Sequence, residues 1–293
     1  MNDSTLAPSH PPQPWVLPRL TQAQAPLTQA VDVINERGET EQVHIPAERA
    51  LTVYVDRREL VTLTTLGAHP ELLVLGYLRN QRLIASVREI ESITVDWEVG
   101  AAAVKTRSGI ANIEARTASK VVTTGCGQGS VFGDLMADVD KLVLPAATLT
   151  QQQLYAIVNA IRVQDSTYKT SGSVHGCALF RGDEMLSFVE DVGRHNAIDT
   201  IAGWMWMNPQ HRWDRVDKVF YTTGRLTSEM VIKAAQMDVA IVVSRSGITQ
   251  MGLEIAERLG LCTIGRATHR RFLCYSGKHR LQLQPEWAER PRA

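Results

Sequence analysis

The distribution of apolar positions divides the chain into two unlike halves. Leu51 to Val55 and Leu60 to Thr64 are β-rich runs separated by Asp56-Arg57-Arg58, a pattern that predicts a hairpin. His69-Pro70-Glu71 then places proline in a first helical turn ahead of Leu72 to Leu78, which predicts a buried helix. Strands are expected over 92–99, 101–106 and 111–117. From about Thr150 the period changes. Leu154, Ile157, Val158 and Ile161 recur at i, i+3, i+4 and i+7 behind a threonine cap, the signature of an amphipathic helix. Strands near 176–181, 185–189, 216–221, 239–244 and 261–264 then alternate with helices near 195–207, 228–237 and 249–259, and Gly260 is a helix-stop signal. Alternation of this kind predicts an α/β sheet with helical crossovers.

Composition adds boundaries to this picture. With 293 residues, 44% apolar and 21% charged, the chain has the make-up of a folded globular protein. Six of its twelve prolines fall within residues 1–30 among Gln, Ser and Thr, so that stretch is expected to be a disordered tail. The rest divides into an N-terminal β-rich subdomain over 31–145, an α/β subdomain over 146–280 and a C-terminal tail over 281–293. Lys plus Arg equals Asp plus Glu at 31 each, so the overall field favours neither a nucleic-acid nor a membrane partner. No stretch reaches the roughly 18 apolar residues of a membrane span, and the N-terminus lacks the basic cap and apolar run of a secretory signal. A cytoplasmic protein is expected. The four cysteines form no C-x-x-C pair and show no zinc-site spacing, which suits free thiols in a reducing compartment and no bound metal.

Three successive strand-to-helix turns share one character: Glu190 to Asn196, Thr222 to Ser228, and Ser244 to Thr249. The carboxyl ends of strands form the ligand crevice of α/β sheets, and helix N-termini present free N–H groups to anions. Gly193, Gly224 and Gly247 permit close backbone approach, while Arg194, Arg225 and Arg245 offer forked donors suited to phosphate. Each turn taken alone is equally well explained as ordinary capping. His175, in Thr170 to Ala178, is either a ligand contact or a hydrogen-bonded core histidine. The segment Gly265 to Arg280 holds five Arg or Lys and no acid, a local deposit able to receive an anion or simply a solvated strand. None of these is a dinucleotide or P-loop motif. Cys177, Cys262 and Cys274 sit in apolar strand patterns, whereas Cys126 lies in Gly125 to Gly133, four glycines in nine positions, where a thiol can swing toward a partner.

Several of these segments, taken together, resemble the formate dehydrogenase accessory sulfurtransferase family (FdhD). They are Gly125-Cys-Gly127, Gly172-Ser-Val-His175, Glu190-Asp-Val-Gly-Arg-His195 with Ala197 and Asp199, Ser228-Glu-Met-Val231 with Lys233, and Ser244-Arg-Ser246. The resemblance runs from about residue 31 to 277. It implies a cytidine-deaminase-like mixed sheet with flanking helices in a homodimer. It also implies a sulfur carrier: a cysteine desulfurase loads a persulfide onto Cys126, and the sulfur passes to the Mo-bis(molybdopterin guanine dinucleotide) cofactor before insertion into the formate dehydrogenase catalytic subunit. The cofactor-contacting segment implied by the family is Arg266-Ala267-Thr268-His269-Arg270-Arg271, with Gly193, Arg194, His195, Gly224, Arg225, Ser244, Ser246 and His175 from the turns. The H-x-E and P-C-x-x-C elements of zinc deaminases are missing, so no zinc is expected. Two positions depart from the family pattern. Gly129 stands where many members carry a second loop cysteine, and Arg266 stands where an aromatic is usual. The first departure keeps a rival reading in play, a chaperone that binds the cofactor without carrying sulfur.

Overall fold

A computed structural model gives the fold and describes residues 16–111, 113, 121–122, 129–130, 139–215 and 217–288. The N-terminal strands are β1 (Arg19–Leu20), β2 (Thr28–Ile34), β3 (Thr40–Pro46), β4 (Arg49–Val55), β5 (Arg58–Thr65), β6 (Ile90–Asp96) and β7 (Ala101–Thr106). Five of them form one sheet in the order β1-β6-β7-β4-β5, while β2 and β3 make a separate hairpin. The expected hairpin is β4–β5. Asp56 and Arg57 turn it with φ of 47° and 72°, the left-handed pair that a two-residue turn between twisted strands demands. Helix α1 (Pro70–Asn80) begins at its proline as expected and covers this sheet, burying Leu73, Val74 and Leu78 against Leu51, Ile93 and Val104. The short strands β8 (Val121–Val122) and β9 (Gly129–Ser130) pair antiparallel. The strand expected over 111–117 and Cys126 lie essentially outside the described residues.

Beyond β10 (Leu149–Thr150), α2 (Gln151–Val163) opens with a capping box: the Gln153 N–H donates to Thr150 Oγ1, and the Gln153 side chain accepts from the Thr150 N–H. There follow α3 (Thr167–Ser171), β11 (His175–Arg181), β12 (Glu184–Asp191), α4 (Arg194–Met207), β13 (Lys218–Thr222), α5 (Ser228–Gln236), β14 (Ile241–Ser244), α6 (Gln250–Leu259), β15 (Cys262–Thr268) and β16 (Arg271–Ser276). The six strands form a mixed sheet ordered β12-β11-β13-β14-β15-β16, in which β13, β14 and β15 run parallel. Both faces are covered. Ala178 and Phe180 face α2 through Leu154 and Ile157, whereas Cys177 and Leu179 face α4, α5 and α6. Burial on both sides explains why these strands read as continuous apolar runs.

Helix α4 is buried nearly all round because it fills the space between this sheet and α1. The two helices touch backbone to backbone. A Cβ on Gly76 would lie 1.6 Å from the Asp199 carbonyl oxygen, and one on Gly203 would lie 2.0 Å from that of Leu72. The N-terminal sheet is also tied directly to the six-stranded one: the Asp191 carboxylate accepts from Thr65 Oγ1 at 2.5 Å and from the Leu66 N–H at 3.1 Å.

Two expectations about the chain ends need correction. Order reaches upstream of residue 31, because β1 pairs parallel with β6 and Glu71 accepts from Thr21 Oγ1 and the Ala23 N–H. The C-terminal stretch is no free tail from 281 onward either. Leu281–Gln282 forms β17, parallel to β10, and the Gln284 N–H donates to Gln151 Oε1. In both places a two-residue strand borrows its partner from a distant element, which polar local composition does not reveal.

Candidate functional site

Five strand ends meet at one edge of the six-stranded sheet. His175, opening β11, stands opposite Asp191 at the end of β12; Thr222 and Ser244, ending β13 and β14, are paired neighbours; β15 runs on past them to Thr268. The turns are stitched together by their own polar groups. Ser244 Oγ donates to the Gly224 carbonyl at 2.7 Å and accepts from the Ser246 N–H, and the Ser246 carbonyl accepts from the Arg266 N–H at 2.7 Å. Ser244 and Ser246 are therefore occupied in shaping the edge. Gly224 is required sterically, since a Cβ there would sit 2.8 Å from Cδ of Arg194, whose side chain lies across it.

The three helix starts at this edge are not equivalent. Thr249 caps α6 by accepting from the Gly252 N–H. Neither Gly193 at the start of α4 nor Thr227 at the start of α5 supplies a side-chain cap, and Thr227 Oγ1 is buried with no hydrogen-bond partner among the described residues. The positive end of α5 thus remains available to an anion, whereas at α4 the Asp191 carboxylate already accepts from the Gly193 N–H at 3.1 Å. Beside them, burial lowers the pKa of His175, and Arg194 and Arg225 push it further down, so a neutral imidazole faces two guanidiniums.

A cavity of about 270 Å³ opens along this edge. Its apolar walls are Val158 and Ile161 of α2, Phe188, Tyr221 and Ala267; Arg162, Lys169, Arg245 and His269 supply its basic groups. Glu190 also lines it, but that carboxylate is engaged, accepting from the N–H groups of Thr167 and Tyr168 at the start of α3. A flat, partly apolar ligand bearing negative charge matches such a lining.

Of the basic segment, Ala267, Thr268 and His269 line this cavity. Arg266, Arg270 and Arg271 instead border a groove on the outer side with Phe272 and Leu283, and the Arg270 carbonyl accepts from Tyr155 Oη. The segment spans the turn of the β15–β16 hairpin, which its basic run does not mark in the sequence. Arg162 and Lys169 join the lining without a signal in the sequence. Arg162 ends an amphipathic helix, where a basic residue reads as ordinary capping, and α3 is too short to leave a periodic pattern.

His195 faces inward. Its side chain is 6% exposed, with Nδ1 3.6 Å from Glu229 Oε1. From there a buried chain continues: Glu229 lies 3.3 Å from Lys233 Nζ, Lys233 lies 2.8 Å from Asp199, and Asp199 accepts from Asn80 Nδ2 at 2.7 Å. The motif residues His195, Asp199, Glu229 and Lys233 are thus one internal network joining α1, α4 and α5. Burial pushes the His195 pKa down to about 3, with Glu229 opposing and Lys233 and Arg194 assisting. The unfolded chain protonates this imidazole below about 6.5 while the folded chain does not, so acidification from 6.5 toward 3 costs stability. Urea unfolding of His195→Gln should show a shallower loss of stability between about pH 7 and pH 5 than the parent protein. Identical slopes would remove His195 as a source of acid sensitivity.

Fold and crevice together define an α/β protein with a basic, aromatic-walled cleft at the carboxyl edge of a mixed sheet. The chain belongs to the FdhD/NarQ family, whose sequence profile matches residues 46–282. It is 28% identical over 250 residues to the sulfur carrier protein FdhD of Geobacillus kaustophilus, covering 84% of this chain and 93% of that protein. To the sulfur carrier protein FdhD of Bacillus licheniformis it is 31% identical over 239 residues, 80% and 89% of the two chains. Its fold is shared with the crystal structure of a candidate formate dehydrogenase accessory protein from Desulfotalea psychrophila, at a TM-score of 0.69 and 23% identity, covering 87% of this chain and 100% of the other. No helix among the described residues is long and apolar enough to cross a membrane.

Proposed function

We propose that this protein carries sulfur for formate dehydrogenase and holds the acceptor cofactor in the cleft while it does so. The Cys126 thiolate attacks the outer sulfur of a cysteine desulfurase persulfide, the S–S bond breaks, and the desulfurase leaves as a thiolate. Cys126 then bears the persulfide and yields its outer sulfur to the metal centre of Mo-bis(molybdopterin guanine dinucleotide), the cargo, before insertion into the dehydrogenase. With Gly129 in the loop, a partner thiol or reductant outside this loop completes the transfer. The family's deaminase-like fold and homodimeric state belong to the same reading.

The observation that carries the cofactor half is that His175, acted on by Arg194 and Arg225, stands at the same sheet edge as the cavity lined by Arg245 and Ala267 to His269, beside two helix starts without side-chain caps. A guanine nucleotide diphosphate presents the required chemistry: a flat base for the Phe188 and Tyr221 walls and a diphosphate for the basic groups. Titration with GDP should show saturable binding, and Arg225→Ala should weaken it by about 1.5 kcal/mol, roughly tenfold, since Arg225 is exposed and its charge-assisted bond lies at the lower end of the usual range. Unchanged affinity would take the Thr222 to Ser228 turn out of the site.

A further inference from the structure

Cys262 and Cys274 stand on the paired strands β15 and β16, at the opposite end of the hairpin from His269 and Arg270. The register pairs Ile264 with Cys274, and a bulge follows before Thr263 meets Ser276. Because alternate residues share a sheet face, Cys262 lies on the same face as Ile264 and Cys274, within the cluster that also holds Leu281. Thr263 and Ser276 use the other face, where their hydroxyls bond at 2.6 Å. Both thiols are free, they lie close enough on this face to perturb one another, and Cys274 Sγ donates to the Ser276 carbonyl at 3.4 Å. Cys274 is half-buried and Cys262 fully buried.

We propose that Cys274 is a thiol-modification site that reacts with low-molecular-weight disulfides, and that Cys262 is the resolving thiol that turns the product into an internal disulfide. The Cys274 thiolate attacks one sulfur of the small disulfide, whose S–S bond breaks and releases one thiolate. Cys262 gives up its proton to that leaving group, attacks the Cys274 sulfur and expels the second small thiol. Two protein thiols are oxidised, and one external disulfide is reduced to two thiols.

The environment divides these roles. The neighbouring Cys262 thiol lowers the pKa of Cys274 and Lys278 adds to the shift, against the opposing effect of burial. The same pairing, together with burial, raises that of Cys262. Attack therefore begins at the more accessible and more acidic sulfur. Cys177 offers the internal contrast: it is buried, donates to Thr222 Oγ1 at 3.3 Å, and has its pKa pushed up to about 12.

Incubation of the full chain with oxidised glutathione, followed by trypsin digestion without reductant, tests the pair directly. Cleavage after Arg258, Arg266, Arg271 and Lys278 places the two thiols on separate peptides, 259–266 and 272–278. The parent protein should yield these peptides joined, and Cys262→Ala should instead accumulate one glutathionyl group on peptide 272–278. Cys274→Ser should leave peptide 259–266 unmodified. Glutathione held on Cys274 of the parent with no joined peptide would overturn the resolving role, and an unmodified Cys274 in all forms would overturn the site. Neither outcome depends on Cys126 or on the cleft.

Discussion

Lys233→Met lowers the stability of the folded state by about 3–5 kcal/mol, the usual cost of leaving buried carboxylates without their counter-ion. Lys233 is 2% exposed, and its ammonium lies 2.8 Å from Asp199 and 3.3 Å from Glu229. Burial alone would discharge it, but the two carboxylates outweigh that effect and raise its pKa, so the group stays charged. Removal strands two acids in a space closed by α1, α4 and α5. Equilibrium urea unfolding measures the loss, and Lys233→Met combined with Asp199→Asn should recover part of it, because the pair shares one interaction. A loss below about 1 kcal/mol would mean that the network is hydrated or discharged rather than a buried ionic chain.

If Cys126 carries the sulfur as proposed, Cys126→Ala should abolish sulfur transfer and formate dehydrogenase maturation while preserving the fold. Its flanking glycines give it no apolar strand pattern in which to pack, so a methyl group should serve the structure as well as a thiol. In the proposed transfer, the variant has no nucleophile at that position to accept the outer sulfur of a desulfurase persulfide. Intact mass after incubation with desulfurase and cysteine should show one added sulfur on the parent protein and none on the variant, and a maturation assay should show dehydrogenase activity only with the parent. Full dehydrogenase activity with the Ala variant would sink the carrier reading and leave the cofactor-binding chaperone in its place.

Much of the second half was legible because each element satisfies a local rule and a global one together. Thr150 caps α2, the spacing of Leu154, Ile157 and Val158 sets its buried face, and the apolar runs at 219–221 and 241–243 are short enough to be only strands in a covered sheet. The β2–β3 hairpin carried no such signal. It is mostly exposed on both faces, its alternation is confined to Val31-Asp32-Val33 and Val43-His44-Ile45, and pairing with each other is what makes its strands. Strand β16 was hidden for a related reason: Arg271 and exposed Leu273 alternate with partly buried Phe272 and Cys274 along an edge, where charge masks the period. Within the candidate site, the edge-forming turns were readable from their glycines and arginines. The inward turn of His195 was not, because Asn80, Asp199, Glu229 and Lys233 reach it from three helices separated widely in sequence.

The contact of Gly76 with the Asp199 carbonyl also constrains how the chain can be assembled during synthesis. Residues 76 and 203 are brought to backbone distance only after most of the intervening chain has been made. Until then the outer side of α1 has no neighbour able to come so close, so the N-terminal sheet emerges from the ribosome with one flank open. Closure must await α4, whose own apolar circumference cannot be satisfied by either sheet alone. Completion of the N-terminal half is therefore a late, long-range event of the kind that slows folding, over and above the distant pairings of β1 with β6 and β4 with β7 within its own sheet.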